Sequence, residues 1–287
     1  MTNPRPLPPP DEVRRRLEGR LPPGQLQLVP RTYVRLGDIL VLDIPEELEP
    51  SQVLVAETYA QVLRMRTVLK RVGSIEGELR LPRMRRIWGD PNTETIHVEN
   101  GIRYRFDPTR VMFSPGNLPE RQRVAGLPVA DETVVDLFAG IGYFTLPLAV
   151  HGRPRQIIAC EKNPVAFRYL EENIELNGVG DIVQARLGDN RDTAPIGEAD
   201  RVFMGYLPDP TPFLPVALSC LKPAGGSIHY HSVVDLPAFP KAAFDKMQEV
   251  LAALNWTATL KQSVTVKSFG PGAVHGVLDV EVRARAS

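Results

Sequence analysis

From about residue 130 onward, apolar runs of five or six residues alternate with stretches of helical periodicity, and few architectures accept that alternation. A strand buried on both faces reads as a continuous apolar run. Parallel strands also need a helix to carry the chain back, so the pattern predicts βαβ units in a parallel sheet. The expected strands are TVVDLFA (133–139), QIIACE (156–161), IVQARLGD (182–189), RVFMGYL (201–207) and GSIHYHSVV (226–234). Helices are expected at 143–151, 163–177, 212–222 and 237–255. A late pair, WTATLKQSVTVKSFG and GVLDVEVRARA, reads as an antiparallel hairpin finishing the sheet.

The chain before this point has another texture. Residues 1–10 are proline-rich and expected to be a disordered tail. A short charged helix should run to about Arg20 with Asp11 as its N-cap. YVRLGDILVLDIP (33–45) reads as strand, with Gly37-Asp38 a turn or bulge. Residues 49–73 read as one helix, capped by Ser51 and closed by Gly73. GELRLPRMRRIWGD, TETIHVENGIRYRFD and VMFSP look like short strands, and Asn100-Gly101 signals a hairpin. The domain expectation is therefore an α+β region over 11–110 and a larger α/β domain over 111–287.

No stretch approaches the roughly 18 apolar residues a membrane span needs, and the N-terminus lacks the apolar core of a signal peptide. A cytoplasmic protein is the expectation, with Cys160 and Cys220 as buried free thiols. The 34 basic residues balance 34 acidic ones, so net charge does not point to nucleic acid. Arginines nevertheless crowd the first 125 residues: Arg14, Arg15, Arg16, Arg64 and Arg66, then Arg80, Arg83, Arg85 and Arg86, then Arg103, Arg105 and Arg110. Solvated faces and a phosphate-contacting surface both fit that distribution.

Three strand ends carry the chemistry. Asp136-Leu137-Phe138-Ala139-Gly140-Ile141-Gly142 ends one strand and opens a helix. Its glycines allow a tight turn and close backbone approach, and the helix aims N–H groups at a ligand. Thr145 stands where a dinucleotide fingerprint has its third glycine, which weakens that reading. Glu161 follows the loop by about 20 residues, the spacing at which such folds place an acid on ribose hydroxyls. Gly188-Asp189-Asn190-Arg191 ends the next strand, where a carboxylate and an amide can read adenine. S-adenosylmethionine is the ligand this set favours, with Asp136, Phe138, Gly140, Glu161, Asp189 and Asn190 as its contacts and no metal.

At this point the sequence resembles the wybutosine-synthesising tRNA aminocarboxypropyltransferases, sister family to the tRNA guanine-N1 methyltransferases. MFSPGNLPERQRV (112–124), VDLFAGIGYFTLPLAV, ACEKNP, NIELNGV, GDNR, ADRVFMGYLP and AGGSIHYH carry the likeness, in order, over most of 75–235. The resemblance implies a class I methyltransferase-like Rossmann domain behind a small tRNA-facing domain. It also implies transfer of the 3-amino-3-carboxypropyl arm of S-adenosylmethionine to a 4-demethylwyosine-type base at position 37 of tRNA(Phe), releasing methylthioadenosine. Carried onto matching positions, its cofactor contacts fall on Ser114, Arg121, Glu161, Asp189 and Asn190.

The sulfonium activates the methyl, the ribose C5′ and the arm's Cγ alike, so position selects which one reacts. Amino-directed methyltransferases carry Asn/Asp-Pro-Pro-aromatic after the fourth strand, whereas here the segment is Met204-Gly205-Tyr206-Leu207-Pro208-Asp209-Pro210. It also departs from the Asn-Leu-Pro of the sister family, which favours arm transfer over N1 methylation of guanine. Asp209, His229 and His231 are the candidate proton acceptors, the two histidines sharing one strand face. Trp88 and Tyr206 are the aromatics to consider for base stacking, with a core position the simpler reading of Trp88. The expected partner is the anticodon region of tRNA, met by a monomer.

Overall fold

Residues 7–73, 77 and 79–285 are described in a computed structural model, and they fall into two units. One comprises Met1–Val98 with Tyr104–Phe113, the other Glu99–Arg103 with Ser114–Ser287. The boundary thus runs through a hairpin that the sequence reading placed wholly in the N-terminal region.

In the first unit, β1 (Val34–Leu36), β2 (Ile39–Leu42), β3 (Thr67–Arg71) and β4 (Met84–Gly89) form a sheet in that order. β1 and β2 are antiparallel across Gly37-Asp38, so the expected turn splits one predicted strand into two. β2 and β3 are parallel, joined through a helix. Helices α1 (Pro9–Leu17), α2 (Pro23–Leu28) and α3 (Gln52–Leu63) complete the unit. Of the predicted disordered tail, residues 1–6 lie outside the described residues, and Pro9-Pro10 open α1. Pro8 rather than Asp11 is its N-cap, because the fixed φ of proline suits a first turn. Asp11 lies inside that turn, where its charge complements the helix dipole.

The single helix expected over 49–73 ends at Leu63. Arg64 takes a left-handed conformation (φ 55°, ψ 53°), and Thr67, Val68, Leu69 and Lys70 continue as a buried strand between β2 and β4. An apolar run of this length satisfies either periodicity, and the vacancy between two strands decides it. Ser51 does not cap the helix with its side chain; its hydroxyl donates to Gln25 Oε1 at 2.8 Å. Val13, Leu17, Leu40, Leu42, Val55, Tyr59 and Val68 form the core, and Trp88 packs against it.

β5 (Thr95–Glu99) and β6 (Ile102–Phe106) form the predicted hairpin, with φ 51° at Asn100 and 77° at Gly101 as a type I′ turn requires. VMFSP forms no strand. Val111 and Phe113 are buried, and Phe113 stacks on Phe106 at 5.0 Å, so apolar burial is met without a ladder.

The second unit holds β7 (Thr133–Asp136), β8 (Gln156–Glu161), β9 (Val183–Leu187), β10 (Arg201–Met204), β11 (Gly226–Asp235), β12 (Trp256–Gly270) and β13 (Ala273–Ala284). Their order is β12-β13-β11-β10-β7-β8-β9, parallel from β11 to β9 and antiparallel at β13 and β12. The helices are α4 (Leu118–Ala125), α5 (Thr145–Pro147, running on as a π turn to Gly152), α6 (Pro164–Leu176), α7 (Asn190–Thr193), α8 (Leu214–Cys220) and α9 (Lys241–Ala253). This is the α/β fold expected, with the predicted C-terminal hairpin. Cys160 and Cys220 are free and buried in its core. Strand order reverses at β7, whose neighbours are β8 and β10, and such a reversal opens a crevice at the carboxyl ends. β12 is an edge strand whose register slips between Leu260 and Gln262, Thr265 and Lys267, and Ser268 and Gly270. Among the described residues no helix is long and apolar enough to cross a membrane.

Candidate active site

Gly140 and Gly142 take φ 58° and 98°, turning the chain sharply off the end of β7. The turn is tied directly to the next strand, since Gly140 N donates to Glu161 Oε2 at 2.7 Å. Asn163 N donates to the other carboxylate oxygen, Oε1, also at 2.7 Å. Glu161 is therefore fixed at the mouth of the crevice, and burial pushes its carboxyl up despite these two bonds. Asn163 caps α6 through Val165 N at 2.9 Å, with Pro164 at the first helical position as its sequence implies.

Thr145 has a use that the missing third glycine did not suggest. Its hydroxyl donates to Asp136 Oδ2 at 2.8 Å, while Phe138 N donates to Asp136 Oδ1 at 3.2 Å. Burial dominates this wholly buried carboxyl and raises it to about 6. From below, Asn173 Nδ2 donates to Ile141 O at 3.1 Å and steadies the same loop. That contact was missed in the sequence, although an asparagine on the buried face of α6 is itself a signal.

At the end of β9 the two expected residues have different surroundings. Asn190 Nδ2 donates to Leu137 O at 2.9 Å, which sets the amide's orientation. Its buried Oδ1 finds no hydrogen-bond partner among the described residues. A buried acceptor of this kind fits an N–H donor of a ligand, such as the exocyclic amine of adenine. Asp189 instead accepts from Arg191 Nε (2.8 Å), Arg191 Nη2 (2.6 Å) and Arg191 N (3.0 Å), with Lys162 Nζ 3.2 Å away. Those bonds hold its carboxyl far below the usual range. Phe138, Tyr206 and Phe213 pack against each other over the ends of β7 and β10, with ring centroids 4.9–5.4 Å apart. An added Cβ at Gly205 would meet Phe144 Cε2 at 2.9 Å, so any side chain there would have to displace that ring.

Ser114 and Arg121 form a second cluster. Arg121, 3 % exposed, donates to Glu99 Oε1 at 2.5 Å and Oε2 at 2.8 Å, and to Ser114 O at 3.1 and 3.2 Å. Lys267 Nζ donates to Ser114 Oγ at 2.7 Å. Neither Glu99 nor Lys267 was singled out in the sequence.

Two of the three candidate proton acceptors, Asp209 and His229, are engaged by other groups. Asp209 accepts from Thr211 Oγ1 (2.5 Å), Thr211 N (3.1 Å) and Lys246 Nζ (2.7 Å). Partial burial raises its carboxyl, and these donors outweigh that and lower it. His229 is 1 % exposed. Its Nε2 faces Arg201 Nη1 at 2.8 Å and so must accept, which leaves Nδ1–H to donate to Asp279 Oδ1 at 2.6 Å. A neutral imidazole whose lone pair is taken cannot receive a proton from substrate. His231 shares that strand face, as expected, packs with its ring tilted against Phe144, and pairs through Nδ1 with His275 Nε2 at 3.1 Å, while its buried Nε2 finds no hydrogen-bond partner among the described residues. Burial pushes both imidazoles below their usual range, His231 the further.

The profile of the TRM5/TYW2 methyltransferase domain matches residues 95–257, and that of the TYW2 N-terminal domain matches residues 13–93. The chain belongs to the TRM5/TYW2 family. It is 42% identical to the tRNA(Phe) (4-demethylwyosine(37)-C(7)) aminocarboxypropyltransferase of Pyrococcus horikoshii, over 94% of this chain and 96% of that protein. The crystal structure of P. horikoshii TYW2 in complex with MeSAdo superimposes with a TM-score of 0.85 at 40% identity, covering 95% of this chain and 98% of that one. The M. jannaschii TYW2 structure in complex with AdoMet gives 0.72 at 31% identity, covering 88% and 100%. The wybutosine-synthesising branch read from the motifs is thus the branch these TYW2 relatives occupy.

Proposed function

We propose that this TYW2-family chain is a tRNA aminocarboxypropyltransferase, moving the 3-amino-3-carboxypropyl group of S-adenosylmethionine to C7 of 4-demethylwyosine at position 37 of tRNA(Phe). The observation that carries the reading is the near full-length match to a relative of that name, joined to a crevice whose polar groups suit an adenosine. When bound, S-adenosylmethionine supplies a sulfonium whose S–Cγ bond breaks as the base carbon attacks Cγ, leaving the electron pair on sulfur and the carbon's proton to water.

The chain's own residues bind and orient. Glu161, fixed by Gly140 N and Asn163 N, retains acceptor capacity for the two ribose hydroxyls. Asn190 Oδ1 accepts from the adenine amine, and Asp189 with Arg191 shapes the loop that presents it. Asp136 acts through Thr145 and Phe138 N to hold the glycine loop. Arg121 supports Ser114 by gripping its carbonyl, and Ser114 faces the amino-acid arm. The half-buried Phe138 and Tyr206 rings offer apolar surface to the rest of the ligand. The partner is the anticodon region of tRNA(Phe), met in the cytoplasm by a monomer.

Incubation with S-adenosylmethionine and tRNA carrying the tricyclic base should release methylthioadenosine. Release of adenosylhomocysteine instead would mean methyl transfer and overturn the reading. Glu161→Ala should abolish S-adenosylmethionine binding in calorimetry, and unchanged affinity would refute the ribose contact.

A further inference from the structure

We infer that Lys267, acting with the Ser114 hydroxyl, is the anchor for the carboxylate of the transferred arm. The inference rests on the S-adenosylmethionine reading above and assigns a residue that the motifs do not contain.

The geometry is specific. Lys267 Nζ reaches Ser114 Oγ at 2.7 Å from 153 residues away in sequence. Slips in the β12 ladder lie on both sides of it, between Thr265 and Lys267 and again between Ser268 and Gly270. Such bulges re-aim a side chain relative to the regular pleat. Gly116 leaves room for the stem, since a Cβ there would lie 3.2 Å from Lys267 Cδ and 3.8 Å from Nζ. In register, Lys267 stands across from His275, and His275 across from Val233. His275 bonds His231, whose ring packs against Phe144 at the start of the helix after the glycine loop. α4, which follows the Ser114 loop, also packs on that helix. The pair therefore stands on the sheet face that carries the crevice loop.

The chemistry suits a carboxylate. A serine hydroxyl has one donor and two acceptor positions. Accepting from Lys267 leaves its hydrogen to be donated onward. An ammonium and a hydroxyl side by side give two charge-assisted bonds to one carboxylate, and both groups are half-buried, where such bonds are stronger than in open water. The arm is the one part of S-adenosylmethionine that bears a carboxylate, and methylthioadenosine has lost it. Fixing that end of the arm fixes the direction in which Cγ faces.

The test compares ligands with and without the carboxylate. Lys267→Gln should weaken S-adenosylmethionine binding roughly ten- to a hundredfold in calorimetry, with methylthioadenosine affinity unchanged. Decarboxylated S-adenosylmethionine should bind wild type about as weakly as the intact molecule binds the variant, and Lys267→Arg should restore part of the loss. Equal losses for S-adenosylmethionine and methylthioadenosine would make Lys267 a structural support and overturn the inference. No loss for either would overturn it as well. A wild-type protein that binds neither ligand would instead overturn the S-adenosylmethionine reading itself.

Discussion

Asp136 shows how one residue can lower the stability of the fold it organises. Its carboxyl is wholly buried, and the donors Thr145 Oγ1 and Phe138 N only partly offset the loss of water. Because its value in the folded chain is raised to about 6, the folded state holds that proton at a pH where the unfolded chain has released it. Stability therefore falls as pH rises from about 4 to about 6, and at pH 7 the ionised group costs up to about 3 kcal/mol. Asp136→Asn should be more stable than wild type by as much as that amount at pH 7, with the gap closing towards pH 4. Urea denaturation at several pH values measures it, and a gap independent of pH would contradict the assignment.

At the scale of elements, Gly205 and Asp279 decide how pieces fit. A side chain at 205 would collide with Phe144, itself hemmed by Phe203 and His231. Gly205→Asn should lose about 1–3 kcal/mol by overpacking, seen as a lower urea midpoint. Asp279 on β13 receives His229 Nδ1–H from β11 and two guanidinium bonds from Arg123 on α4, at 2.5 and 3.2 Å. Burial alone would raise its carboxyl, and these donors outweigh it and hold it at about 2. Asp279→Ala leaves Arg123 short of a partner and should cost about 3 kcal/mol. A loss below 1 kcal/mol in the same assay would show that the three elements hold together without it.

Legibility followed the range of the interactions. The βαβ order, the hairpin at Asn100-Gly101 and the strand-end positions of Glu161 and Asp189 were readable because each depends on periodicity or on a short fixed spacing. β3 was not, since Val68 and Leu69 suit a helix as well as a strand until neighbours on both sides are known. Thr145 read only as a departure from a motif, and its bond to Asp136 shows what replaced the third glycine. The partners of Ser114 and Arg121 were out of reach for another reason. Lys267 and Glu99 meet them across 153 and 22 residues, and composition does not encode such distances.

For the molecule as a whole, the crevice links ligand to stability. A ligand that binds only the folded chain adds RT ln(1 + [L]/Kd), about 2.7 kcal/mol at a hundredfold excess over Kd. Methylthioadenosine at that excess should raise the unfolding free energy by this amount in wild type and leave Glu161→Ala unchanged. A shift of equal size in the variant would place the ligand somewhere other than the crevice.

The irregular ladder of β12 has a consequence outside catalysis. A fifteen-residue edge strand, about half of it exposed, is a template on which a second molecule could lay a strand of its own. Three slips in register break the row of outward N–H and C=O groups into short, mismatched lengths. The slips that flank Lys267 thus also deny crowded neighbours a continuous seam, so this flank should resist fibre-like association at high concentration.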